Sequence, residues 1–380
     1  MKVCGVICEY NPFHNGHAHQ LVRARELTDA DYVVCAMSGP FVQRGDAAIL
    51  DKWTRAECAI ANGADLVLEL PVLHAVRAAQ DFALGGVALL HGLGVVTHLS
   101  FGAEDDDLTH LRNLAAPETP EQAALIQQYL AQGLSHPAAR AKALGGDLPP
   151  NVTLAVEYLR AIEKLGSEME PVPVLREHAH NDPAAHEMAS ATAIRAQLHQ
   201  GNADLAHAMP ATAYALTMEH LPTPLPTLSR FSDILLYLLR TTTPAELREA
   251  YAIPEGLEHR LLRAAAEVSD LTALLTRVRC RRYPDARIRR MLVHILLGVT
   301  ADLLTTHPAP EYARVLAFRK SAAPLLRAIS RASTLPLLTK IADAPLTPTL
   351  ALDLRAQNIW ALAARRPAHL DLTEPIRVRE

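Results

Sequence analysis

The first half of this chain alternates short apolar runs with longer stretches whose hydrophobic positions return every three or four residues. That is the mark of a parallel sheet joined by crossover helices. Strands are predicted at Lys2 to Cys8, Asp31 to Met37, Leu66 to Leu70, Val95 to Phe101 and Val172 to Leu175. Helices are predicted between them, at His17 to Leu27, Lys52 to Asn62, Val76 to Leu93, Pro120 to Gln132, Asn151 to Leu165 and Ala191 to Gln200. Sheets of this kind bind ligands beyond the carboxyl ends of their strands. Polar loops fall at those ends: the segment around His14, Ser38 to Arg44 after the second strand, and Gly102 to Glu104 after the fourth.

From about Gly201 the pattern changes. Pro210, Pro222, Pro224 and Pro226 mark a linker-like passage, and helical periodicity dominates afterwards, at Asp233 to Arg240, Leu257 to Val268, Ala286 to Leu297 and Leu350 to Ala364. Two apolar runs, Ala313 to Phe318 and Leu335 to Thr339, are expected to pair as a small sheet within this half. The predicted class is α/β: a Rossmann-like parallel-sheet domain over 1–205 followed by a mainly helical domain over 206–380.

Composition narrows the setting. With 380 residues, 49% hydrophobic and 21% charged, the chain is long enough for two cores of ordinary globular type. Its five cysteines are odd in number, and Cys4, Cys8 and Cys35 sit inside predicted strands, which argues against a disulfide framework and for a reducing compartment. No apolar run reaches membrane-spanning length and no signal segment opens the chain, so a cytoplasmic protein without a membrane partner is expected. A net charge of −4 carries no global nucleic-acid signature. Locally, however, Arg277, Arg279, Arg281, Arg282, Arg287, Arg289 and Arg290 fall within fourteen residues, with Asp285 the sole acid among them. Interrupted by Tyr283, this run reads either as a solvated helix face or as a contact surface for an RNA backbone, and the charge imbalance favours RNA.

The chemistry concentrates in VICEYNPFHNGHAHQ. Asn11 and Pro12 end the first strand, and the next helix begins with unpaired N–H groups whose dipole attracts phosphate. Gly16 is expected to let the backbone approach a ligand closely. His14 and His17, three apart, can face one bound group and donate, neutral or protonated, to a phosphate gaining charge. The plain alternative is a loop with two surface histidines. Zinc is disfavoured because no HExxH or CxxC accompanies the histidines, so no metal ligands are assigned. No P-loop is present. In SATAIR, Ser190 either caps a helix or joins Thr192 in donating to phosphate, with Arg195 neutralising charge. In SGPFVQRGDAAILDKW, Gln43, Arg44, Lys52 and Trp53 make either a functional loop or a polar loop with a helix cap.

The HxGH and S-x-T-x-I-R elements together resemble the nucleotidylyltransferase superfamily. The ordered strings EYNPFHNGH, MSGPFVQRG with the following DKW, LSFGAE, PNVTLAVEYL, SATAIR and RRYPDARIRRMLVHILL resemble more narrowly the bacterial tRNA(Met) cytidine acetate ligase family, over most of the chain. The resemblance implies that ATP and acetate form acetyl-adenylate with release of pyrophosphate, and that the N4 amine of the wobble cytidine in elongator tRNA(Met) takes the acetyl group. It implies an ATP loop of Ile7, Cys8, Glu9, Tyr10, Asn11, Pro12, Phe13, His14, Asn15, Gly16, His17, Ala18, His19 and Gln20, with catalytic His14 and His17. Further ATP contacts would come from Gly102, Asn151, Arg176, Ser190, Thr192 and Arg195, and tRNA contacts from Arg279, Arg282, Arg287, Arg289 and Arg290. Mg2+ is expected only as the usual companion of ATP. The sequence departs from the family pattern at Ala47, Ala103 and Val152 and after Arg176. Two other readings stay open: an adenylylyltransferase acting on a small phosphorylated acceptor, and a nucleotide-sensing or RNA-binding module without catalysis. The helical half with its arginines favours the ligase over the first, and the intact HxGH over the second.

Overall fold

A computed structural model describes residues 1–146, 148–176, 189–254 and 256–380. Its main sheet has eight strands: β1 (Val3–Cys8), β2 (Tyr32–Ser38), β5 (Leu66–Leu70), β6 (His98–Ala103), β7 (Glu170–Leu175), β8 (Ala313–Arg319), β9 (Leu337–Leu338) and β10 (Arg377–Arg379). Strands β3 (Phe41–Val42) and β4 (Asp46–Ala47) form a separate antiparallel hairpin. The order is β10-β8-β5-β2-β1-β6-β7, with β9 also on β8. The pairings of β1 with β2 and with β6, of β2 with β5 and of β6 with β7 are all parallel. Strand order reverses at β1, so a crevice opens beyond the carboxyl ends of β1 and β6, where such sheets bind ligands.

The helices that matter below are α1 (Asn15–Thr28), α2 (Lys52–Ala61), α3 (Ala79–Gly92), α4 (Pro150–Lys164), α5 (Ala191–His199), α6 (Leu257–Glu267), α7 (Leu271–Val278), α8 (Asp285–Leu297) and α9 (Pro348–Ala363). Every residue of β1 is buried, because both faces of the sheet are covered. Cys4, Val6 and Cys8 face a core built from α1, α2, α8 and α9, with Leu21, Trp53, Ile288 and Trp360 in it. Val3 and Ile7 face the other core, with Phe82 and Leu90 of α3 and Val152 and Tyr158 of α4.

Two expectations are corrected here. The runs at Ala313 to Phe318 and Leu335 to Thr339 do meet, but not as a small sheet of their own: β8 pairs antiparallel with β5 and carries β9 beside it. Residues Ala313 to Ala317 are buried throughout, so the strand needs cover on both faces, which the two cores of the main sheet supply, while the edge of β5 pairs its backbone groups. The main sheet thus draws strands from both halves of the chain. The helix expected at Val76 to Leu93 begins three residues later, as α3, and a separate short helix, Val72–Ala75, precedes it. Between them the Val76 carbonyl accepts from His294 Nε2 at 2.7 Å. No helix among the described residues is long and apolar enough to cross a membrane.

Charge is buried where the halves join. Lys52 Nζ lies 2.8 Å from each Glu69 oxygen and 2.7 Å from Asp371 Oδ1. The Arg314 guanidinium reaches the same carboxylates, at 3.0 Å and 2.7 Å. None of the four side chains is more than 4% exposed. Alongside, Asp353 accepts from Val72 N at 2.8 Å and from the Tyr312 hydroxyl, while burial and the nearby Glu69 push its carboxyl up to about 7. Removing one member of such a cluster leaves uncompensated charge in a low-dielectric interior. Lys52→Met is therefore expected to lower unfolding stability by roughly 3–5 kcal/mol. Urea unfolding measures this, and an unchanged midpoint at unchanged slope would contradict it.

Candidate active site

The site begins where β1 ends. Tyr10 takes φ +47°, and a cis peptide joins Asn11 to Pro12. The turn is held from three sides. Asn11 Oδ1 accepts from Ile49 N at 2.9 Å. Arg195 on α5 donates to the Asn11 carbonyl at 2.6 Å and to Thr192 Oγ1 at 3.1 Å. Arg55, fully buried on α2, donates to the carbonyls of Glu9 at 2.7 Å, Ser38 at 2.9 Å, Gly39 at 2.5 Å and Leu50 at 3.2 Å. One guanidinium thereby pins the carboxyl ends of β1 and β2 together, and burial lowers its pKa to about 10. Sequence reasoning missed Arg55. The available signal was an arginine one turn after Asp51, the residue that caps the helix start.

His14 and His17 form the centre. His14 is the N-cap of α1: its Nδ1 accepts from Gly16 N at 3.0 Å, and His17 Nδ1 accepts from His14 N at 3.3 Å. The rings stack with centroids 3.7 Å apart. Tyr10 and Phe13 brace His17, their ring centroids 4.9 Å and 5.6 Å from its own. With both Nδ1 atoms accepting, each neutral ring carries its proton on Nε2, which remains as its donor. Burial, then the charges of Arg176 and Arg195, lowers the His14 pKa to about 3. Burial, His14 and Arg176 hold His17 well below the usual imidazole range. The expectation that either protonation state would serve narrows to neutral rings in the free protein. The reason for Gly16 also changes: a Cβ there would stand 2.9 Å from His14 Cε1. The missing side chain makes room for the capping ring.

The remaining loop residues divide by role. Ile7 and Cys8 are core residues of β1, and Pro12 is buried in the turn. Glu9 accepts from Gln43 N at 2.7 Å, and burial raises its pKa. Asn15 ties the start of α1 to 207–208, through Nδ2 to the His207 carbonyl and N to the Ala208 carbonyl. Ala18, His19 and Gln20 lie on the first turns of α1. Across the crevice, Arg176 N donates to the Ala103 carbonyl, and its stem crosses Gly102, where a Cβ would meet Arg176 Cγ at 3.5 Å. Glu104 accepts from Asn151 Nδ2 at 2.7 Å and from Val152 N at 3.1 Å, satisfying the start of α4. Asn151 is thus held at the carboxyl end of β6. Ser190 accepts from Ala193 N at 3.2 Å as the cap of α5. The divergent stretch after Arg176, residues 177–182, lies outside the described residues.

The arginine-rich segment reaches this region through the hairpin. Arg290 donates to the Gln43 carbonyl at 3.3 Å, and burial lowers its pKa to about 10. Arg289 lies 3.6 Å from Asp46 Oδ2. Gly45, at φ +78°, lies against the backbone of Arg289 and Arg290, where a Cβ would be 2.4 Å from Arg290 N. Arg282 and Arg287 sit over the Tyr283 ring at 5.9 Å and 5.1 Å. Arg279 is exposed, 3.7 Å from Asp285.

Two neutral imidazole donors at a helix start, with guanidiniums close by, can bind a polyphosphate and stabilise charge gained in displacement at phosphorus. The HIGH Nucleotidyl Transferase family model matches residues 1–373. The tRNA(Met) cytidine acetate ligase of Thermoanaerobacter sp. (strain X514) is 35% identical over 401 residues, covering 99% of each chain. Two crystal structures of Thermotoga maritima TmcAL, one apo and one bound with alpha-thio ATP, superpose over the full length of both chains. Their TM-scores are 0.92 and 0.90, at 30% identity.

The lowered histidine pKa values make a direct prediction. Rings that titrate far below 6.5 stay neutral through ordinary buffers, so the His14 and His17 ring resonances of the free protein should hold their shifts from about pH 8 down to about pH 5. NMR of ring-labelled protein measures this, and a titration step near pH 6.5 in either ring would contradict it.

Proposed function

This chain belongs to the HIGH nucleotidyl transferase family and, within it, to the tRNA(Met) cytidine acetate ligases; from that membership we propose that it acetylates the wobble cytidine of elongator tRNA(Met) at N4 in two ATP-driven steps. An acetate oxygen attacks the α-phosphorus of ATP, and pyrophosphate leaves. The N4 amine then attacks the acetyl carbon, AMP leaves with the bonding pair, and the amine loses a proton.

The observation that carries the reading is the pair of neutral Nε2–H donors fixed by the capping of α1. Their worth lies in preorganisation: both rings are already bound to backbone through Nδ1, so little reorganisation is needed as charge builds on the α-phosphate. Arg176, whose charge acts on both rings, supports a role in neutralising the triphosphate, with Gly102 and Asn151 on the same side of the crevice. Ser190, Thr192 and Arg195 serve the nucleotide by bracing the loop at Asn11. Magnesium comes with the triphosphate: it binds phosphate oxygens and water and needs few protein carboxylates, and Glu9 is the acidic side chain of the loop. Residues 1–205 are assigned to ATP and acetate, and 206–380, with Arg279, Arg282, Arg287, Arg289 and Arg290, to holding tRNA. The five free cysteines fit work in the cytoplasm, where tRNA is modified.

Incubation with ATP, labelled acetate and total tRNA, followed by nucleoside analysis, should yield labelled N4-acetylcytidine and pyrophosphate; ADP with orthophosphate would overturn the mechanism. His14→Ala and His17→Ala should each cut acetyl-adenylate formation by about a hundredfold or more while remaining folded. Wild-type turnover in both would remove the assignment. Changing Arg279 and Arg282 together to Ala should weaken tRNA binding and flatten its salt dependence, with acetyl-adenylate formation in the absence of tRNA unaffected. Binding as tight as wild type at two salt concentrations would move the RNA surface elsewhere.

A further inference from the structure

Helices α6 and α7 pack beside the arginine-rich segment and leave a cleft of about 440 Å3 whose lining includes His259, Arg260, Arg263, Glu267 and Arg277. Among the described lining residues three guanidiniums face one carboxylate, and that carboxylate is already paired with Arg277. Arg263 is exposed and makes no hydrogen bond or ion pair among the described residues. Arg260 donates to the carbonyls of Arg277 and Arg279, each at 3.3 Å. The wall of the cleft is thereby tied to the segment that presents Arg279, Arg281 and Arg282 to solvent. Arginines thus predominate from α6 to that segment, with Glu267 and Asp285 between them, while Arg289 and Arg290 also engage the hairpin.

We infer that this cleft is a second, sequence-independent RNA contact, in which Arg263, Arg260 and Arg277 take phosphates of the tRNA backbone away from the reacting cytidine. The inference rests on the tRNA reading above and extends it to a surface outside the arginine run. The chemistry selects a polyanion. Exposed guanidiniums hold an isolated small anion weakly at physiological ionic strength, because salt screens the attraction within about 8 Å. A nucleic-acid backbone engages several at once and gains from counterion release. No Phe, Tyr or Trp is among the described residues that line the cleft, and His259 is a single ring, too little for a run of stacked bases. Phosphate contact positions an RNA without reading its sequence, which suits a site remote from the chemistry.

The test uses the full chain and a fluorescent elongator tRNA(Met) transcript, with anisotropy read at about 50 and 200 mM salt. Because Arg263 makes no hydrogen bond or ion pair among the described residues, Arg263→Glu should keep a melting temperature close to that of the wild type. It should weaken tRNA binding about tenfold at the lower salt, reduce the slope of log affinity against log salt by about one, and leave acetyl-adenylate formation without tRNA unchanged. Arg282→Glu serves as the comparison within the arginine run. If Arg282→Glu weakens binding and Arg263→Glu does not, the cleft is not an RNA contact and the wider reading stands. If the wild type itself does not bind tRNA, both fall. If Arg263→Glu spares tRNA but lowers affinity for a polyglutamate probe, the cleft takes an acidic peptide and the inference is overturned.

Discussion

Four charges buried together, Lys52, Glu69, Arg314 and Asp371, set the register on which the site depends. Ions in a low-dielectric interior are tolerable only when each is matched at close range, so the cluster admits little slippage of the elements that bring it together. Lys52 opens α2, and Arg55 follows three residues later on the same buried face. Fixing Lys52 against Glu69 therefore fixes where the Arg55 guanidinium emerges, and with it the carbonyls of Glu9, Ser38 and Gly39. Arg314 and Asp371, from the far end of the chain, complete the charge balance. The antiparallel addition of β8 to β5 is in this sense part of the catalytic scaffold.

The histidine pair gives one pair of residues two duties. A serine or aspartate caps a helix start at least as well. Neither leaves an N–H donor after its capping bond is made. Imidazole has two ring nitrogens on opposite edges, so one can satisfy the backbone while the other stays available for a ligand. Burial then keeps the rings neutral, which the capping requires, since a protonated Nδ1 cannot accept. The pKa depression and the capping geometry are thus the same constraint seen twice.

Local features were legible in the sequence. The strand Leu66 to Leu70 and the helix starts at Lys52, Pro120, Ala191 and Leu257 follow from apolar periodicity and nearby breakers, all within a few residues of the feature they predict. The HxGH pair was legible for the same reason. What escaped was long-range. Lys52 and Glu69 are separated from Asp371 by about three hundred residues, and no local pattern distinguishes a charge that will be buried from one that will be solvated. β8 looked like part of a separate sheet because its apolar run does not name its partner. Gly16 was legible as a glycine position, but not as space for a neighbouring ring. Arg289 and Arg290 belonged to a visible run of charge, yet the hairpin that engages them lies some 240 residues earlier.

The hairpin's own peptide units carry a further consequence. At Gln43 the N–H holds the Glu9 carboxylate of the loop between β1 and α1, while the carbonyl of the same residue receives Arg290. Two surfaces distant in sequence are therefore joined through a single residue. If binding at the arginine segment alters the preferred position of Arg290, the work is shared with Glu9, and the loop answers in kind. Thermodynamic linkage makes that exchange reciprocal: whatever factor an RNA adds to nucleotide affinity, the nucleotide returns to the RNA. Cooperativity between the two ligands would then run through the two hydrogen bonds at Gln43.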